Sequence, residues 1–150
     1  MLAILLGMAA QEQTGKVHLL DTSLETIDTA ESLVIEAAAV CGISEDDVAG
    51  LAMAIRECVA NAVVHGNRYN TKKKVYLELR STPDALEVLV GDEGDGFAIE
   101  DVPDPLAEEN LLKQSGRGIL LIRAFVDEFE VRKRKPQGTE VRLVKFVQPR

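Results

Sequence analysis

Three short stretches carry residue types that could act together on one ligand. Glu57 and Asn61 stand four apart in SEDDVAGLAMAIRECVANAVVHGN, residues Ser44–Asn67, with His65 four further on. On a helix that spacing lines one face. A carboxylate one turn from a carboxamide offers a base and a neutral oxygen ligand, although an exposed polar face is the plainer alternative. Asn is a poor interior helix former, so Asn61 calls for a reason. Asp92-Glu93-Gly94-Asp95-Gly96 pairs an acceptor with two glycines that permit close backbone approach to a ligand; its plainer alternative is a tight acidic turn. Ser115-Gly116-Arg117-Gly118 opens a helical run, where free N–H groups and the helix dipole suit an anion such as phosphate. None of these has P-loop spacing, and no strand–GxGxxG–helix unit is present.

The elements that must position them follow from periodicity. Ser44 caps the central helix with Asp47 three residues on, and Leu51, Ile55, Cys58 and Ala62 give a stripe to bury. Gly66 is placed to end that helix in a left-handed turn. Before it, Lys16–Asp21 reads as a strand and residues 23–41 as a helix stopped by Gly42. After it, RYNTKKK (68–74) reads as a solvated loop. Val75–Arg80 alternates like a half-wet strand, and Leu86–Gly91 is more uniformly apolar, like a central one. Residues 97–115 hold Pro103, Pro105 and many acids, a long loop of the kind used as a lid. Residues 117–126 form a third helix, and Glu128–Lys133 and Thr139–Val147 a closing hairpin whose RKRK tip reads as solvated. This order predicts an α/β two-layer sandwich: a mixed, mostly antiparallel sheet with about three helices on one face.

Composition bounds the partners. At 150 residues the chain suits one domain, placed at 16–150 behind a leader at 1–15. That leader is apolar but far short of the ~20 residues that span a bilayer, and it lacks a signal peptide's basic start. An extra strand, a dimer contact and a disordered leader all remain open for it. A net charge of −8 argues against a broad nucleic-acid footprint. Two cysteines, Cys41 and Cys58, have neither metal-site spacing nor a disulfide framework, which points to a reducing cytoplasm.

Taken in order, Glu57-x-x-x-Asn61, Asp92-x-Gly94-x-Gly96 and Gly116-x-Gly118 resemble the N, G1 and G2 boxes of the GHKL (Bergerat-fold) ATPase superfamily, with the lid where that superfamily has its ATP lid. The wording ECVANAVVHGN, DEGDGF and SGRGILLIRAFVDEF is similar to the bacterial anti-sigma-factor serine-protein kinases. No phosphoacceptor helix pair precedes the domain, which sets it apart from sensor histidine kinases.

The resemblance implies roles. Asn61 would ligate Mg²⁺, and Glu57 would be the catalytic residue that orients or deprotonates the attacking hydroxyl. Asp92 would accept from the adenine amino group of ATP, supported by Thr139. Gly94 and Gly96 would let the chain pass the nucleotide, and Gly116 and Gly118 would give amides to its phosphates. His65 and Asn67 would contact the nucleotide or close the helix end. Lys113 and Arg117 would neutralise γ-phosphate charge, with a solvated lid charge the alternative for Lys113. The implied activity is that of an ATP-dependent protein serine/threonine kinase that phosphorylates a STAS-domain antagonist and sequesters a sigma factor. A homodimer is implied, with no direct nucleic-acid or membrane contact. A nucleotide-gated binding module without kinase activity is the alternative, and retention of Glu57 favours the enzyme.

Overall fold

The computed structural model describes residues 14–95 and 114–148. Five strands form one sheet in the order β1-β2-β3-β5-β4: β1 Thr14–Asp21, β2 Lys74–Ser81, β3 Ala85–Gly91, β4 Glu128–Lys133 and β5 Thr139–Phe146. Three helices, α1 Glu25–Cys41, α2 Glu45–Asn61 and α3 Gln114–Phe125, complete the described elements. The α/β sandwich is as expected, with one correction. Among the described residues every strand pairing is antiparallel, so the described sheet is not mixed. The reason lies in the return hairpin. The crossover through α3 brings β4 in parallel to β3, but β5 then folds back and inserts between them. The first strand begins at Thr14, two residues ahead of the expected start. The GxG stretch at 116–118 lies inside α3 rather than at its edge.

The core follows the predicted stripes. Leu51, Ile55, Cys58 and Ala62 of α2 are all buried, as are Ala30 and Val34 of α1 and Ile122 of α3. They pack on Val75, Leu77, Leu86, Val88, Val90 and Leu143 from the sheet face that points toward the helices. Ser44 Oγ accepts from Asp47 N–H at 3.3 Å, and three acids fill the first turn of α2 where its dipole favours them. Gly42 closes α1 at φ +92°. On the other sheet face Leu89 is buried too, beneath ion pairs of Arg80 with Glu78 and Glu87 and of Arg142 with Glu87. The continuous helical run Glu45–Gly66 is long and apolar enough to cross a membrane by length and composition alone. Half of that window is buried inside the domain, as befits the helix about which the core is built.

The end of that run departs from expectation. At Ala62–Gly66 the chain widens into a π turn, with Asn67 N–H reaching back to Ala62 O at 2.7 Å. The positive φ angles fall not on Gly66 but on Arg68 (+50°) and Tyr69 (+58°). Gly66 is needed for space instead, as the site shows.

Candidate active site

The α2 and α3 helices run antiparallel in close contact, and glycines set the distance. A Cβ on Gly50 would lie 2.5 Å from the Phe125 ring. Two turns further along α2, and two turns back along α3, a Cβ on Gly118 would lie 3.1 Å from Glu57 Oε2 and 4.0 Å from Asn61 Nδ2. Gly118 is thereby laid over the acid and the amide. Glu57 and Asn61 are both half-buried. His65 is exposed and lies within the π turn that interrupts the 3.6-residue period of the run.

The second half of the site is built around Asp92, at the end of β3. Its carboxylate is buried, and Oδ1 accepts from Gly94 N–H at 2.9 Å and Thr139 N–H at 3.2 Å. Asp92 N–H in turn donates to Thr139 O at 2.9 Å. Oδ2 has no hydrogen-bond partner among the described residues and remains an acceptor. Three glycines make room for close packing around this residue. A Cβ on Gly66 would meet Oδ2 at 2.3 Å, and one on Gly94 would meet Gly66 O at 2.2 Å. At Gly138, with φ +107°, a Cβ would meet Asp92 O at 1.8 Å. Burial pushes the Asp92 carboxyl above its ordinary pKa. The two amide donors and the positive charges of Arg134 and Lys73 oppose that shift.

Asn67 is buried, and its amide is engaged on both sides. Oδ1 accepts from Glu93 N–H at 2.8 Å, while Nδ2 donates to Thr22 Oγ1 at 2.9 Å and Lys74 O at 3.0 Å. Of its two expected roles the helix-end one has the contacts: it ties α2 to β1, β2 and the strand end that carries Asp92. Gly66 was expected only to end the helix, and its close packing on Asp92 was not assigned from sequence. The HGN triplet directly after the helix was the available signal.

Between the two halves lies a cavity of about 30 Å³, lined by Asn61 and Asp92 and by apolar Cys58, Val90, Ile122 and Val141. That is well below the roughly 300–1,000 Å³ of a small-molecule pocket, so a flat purine enters only by displacing lining side chains such as Ile122, Phe129 and Val131. Burial, and to a lesser degree Glu57, pushes the Cys58 thiol far above its ordinary pKa, leaving it a neutral wall group. Gly96 and Lys113 lie outside the described residues, as does most of the expected lid. For Gly116 and Arg117 the helical backbone is described and the side chains are not. The donor set suits a hard divalent ion held mainly by its ligand: one amide oxygen at Asn61, and no cluster of three acids, histidines or cysteines among the described residues.

Residues 20–145 match the histidine kinase-like ATPase domain. An anti-sigma F factor from Oceanobacillus iheyensis is 31% identical over 102 residues, covering 67% of this chain and 70% of the relative. A serine-protein kinase RsbW from Bacillus licheniformis is 32% identical over 112 residues, covering 71% of this chain and 69% of the relative. In structure, the chain is similar to the RsbU and RsbW domains of a Mycobacterium tuberculosis protein, with a TM-score of 0.63 at 21% identity, covering 91% of this chain and 33% of that one. A mycobacterial sensor histidine kinase, MprB, superposes at 0.55 with 17% identity, covering 91% of this chain and all of that one. The chain belongs to the histidine kinase-like ATPase (GHKL) family. Within it, this is an ATP-binding serine-protein kinase of the anti-sigma-factor type.

Proposed function

We propose that the cleft between α2, α3 and the end of β3 binds Mg·ATP and transfers the γ-phosphate to a serine or threonine of a STAS-domain antagonist. Phosphorylation state would then decide whether the protein holds a sigma factor. Asn61 supplies an oxygen ligand to Mg²⁺, whose remaining positions are filled by phosphates and water. Glu57 orients or deprotonates the incoming hydroxyl. Asp92 Oδ2 accepts from the adenine amino group, and the helical stretch 116–118 meets the phosphates, with Arg117 and Lys113 as charge partners. The working unit is the domain placed at 16–150, behind the apolar leader at 1–15. It acts in the cytoplasm as a homodimer, without nucleic acid or membrane.

The observation that carries this reading is the meeting of Gly118 with Glu57 and Asn61. It brings the phosphate-binding stretch to a base and a metal ligand, and a Cβ at Gly118 would crowd that cradle. The test is phosphate transfer from labelled ATP to a captured antagonist. Glu57→Gln keeps shape and nucleotide binding but removes the base, so transfer should fall by about 10²–10⁴-fold. Undiminished transfer refutes the role of Glu57, and no transfer by the parent chain refutes the kinase reading.

A further inference from the structure

Two basic runs that read separately as solvated loops are brought together by the fold. RYNTKKK (68–74) and RKRK (132–135) hold eight of the chain's 17 Lys and Arg residues. They flank one residue. Glu93 Oε2 accepts from Lys74 N–H at 2.6 Å, while Glu93 O accepts from Gln137 Nε2 at the tip of the β4–β5 hairpin. Lys73 from one run and Arg134 from the other both bear on Asp92.

Three of the eight cations are already engaged. Lys74 pairs with Asp21, Arg132 pairs with Glu140, and the Arg134 guanidinium stacks 3.6 Å from the Tyr76 ring centroid. The other five, Arg68, Lys72, Lys73, Lys133 and Lys135, have no side-chain hydrogen bond or ion pair among the described residues, and all but half-buried Lys73 are exposed. Glu93, the acid between the two runs, is occupied by Lys74 N–H and the Tyr76 hydroxyl at 3.3 Å, while Asp95 is exposed.

A second feature points outward from the same place. Arg68 and Tyr69 occupy consecutive left-handed conformations that residues with side chains rarely adopt, and Tyr69 is 53% exposed. The turn is held by Tyr69 N–H on Val63 O at 2.9 Å and, beneath it, by the buried Asn67. Arg and Tyr are the residue types that anchor protein interfaces. Here an Arg–Tyr pair is displayed at the edge of a cationic rim on a molecule whose net charge is −8.

We propose that this rim, formed by the 68–74 loop and the β4–β5 hairpin tip, is a docking surface for an acidic protein segment. It is a site for a macromolecular partner beside the nucleotide cleft. The negative remainder of the molecule repels an extended nucleic acid but tolerates a short acidic segment that touches only the rim. Arg68 and Tyr69 anchor it, and the free lysines on both sides set its orientation.

The test uses the full chain with Mg·ATP and a labelled Asp/Glu peptide, read by fluorescence anisotropy. Tight binding should weaken steeply between about 0.1 M and 1 M salt, as the screening length falls from about 10 to 3 Å. Reversing one exposed lysine in each run, Lys72→Glu with Lys135→Glu, should weaken binding at least tenfold while ATP affinity is kept. A charge-matched control, Thr29→Glu, Ser32→Glu, Ala39→Glu and Ala49→Glu on exposed helix positions, should change peptide binding less than threefold. Three results overturn the proposal: no peptide binding at the lower salt, an equal loss in the control, or tighter binding of an oligonucleotide of equal charge.

Discussion

Gly66 and Asp92 are packed so closely that a methyl group on the glycine would lie 2.3 Å from Asp92 Oδ2. The residue that closes the α2 helical run thus sets the position of the carboxylate proposed to read the base. The relationship joins two sequence boxes that are only motifs until folding presses one against the other.

Gly66→Ala should therefore act on nucleotide binding before it acts on the fold. The added methyl cannot be accommodated without shifting Asp92, because Asp92 itself is held by two amides. ATP affinity should fall at least tenfold by calorimetry. Gly15→Ala, whose Cβ would find only ordinary contacts at 3.7 Å or beyond, should leave it unchanged. Equal affinities in the two variants would show that Gly66 is only a helix end.

Asp92 should favour ATP over GTP, whose carbonyl at the amino position would set two acceptors face to face. A buried unpaired acceptor costs about 1–3 kcal/mol, or roughly five- to 150-fold in affinity. Competition binding measures the ratio, and Asp92→Asn, which supplies a donor, should narrow it.

The same carboxyl gives a pH signature. Its folded pKa is raised above the unfolded value by burial, so the native state binds more protons across that window. Stability should fall as pH rises from the ordinary aspartate value to the raised one, then stay level on account of this group. Urea titrations at a series of pH values should show this decline in the parent chain and lose it in Asp92→Asn.

Asn61→Ala should remove the magnesium dependence of ATP binding while leaving the melting temperature within a few degrees, because the side chain is half-buried and faces the cleft. Calorimetry with and without Mg²⁺ gives both numbers. Equal affinity of the variant and the parent for Mg·ATP would rule out Asn61 as the metal ligand.

Much of this architecture was legible because local rules and packing agree. The stripe from Leu51 to Ala62 is buried where its period puts it, Ser44 caps α2, and the largely apolar β3 lies at the centre of the sheet. The misreadings share a different cause. A left-handed turn at Gly66 was inferred from conformational preference, whereas the fold uses that glycine for its missing side chain and places the positive φ on Arg68 and Tyr69. His65 was placed by a straight 3.6-residue period that a π turn interrupts. The meeting of the 68–74 and 132–135 runs depends on strand order, which no local pattern carries.

Asp92 has almost no freedom left to lose. Gly66 packs directly on its Oδ2, Gly138 packs on its backbone, and its Oδ1 is fixed by two backbone amides. The acceptor offered to a base is therefore frozen when the chain folds, and ordering it adds no entropic penalty on association. Binding does require movement elsewhere, among the side chains that line the narrow cavity. The choice of base should accordingly be made by a group that stays put while the walls around it adjust.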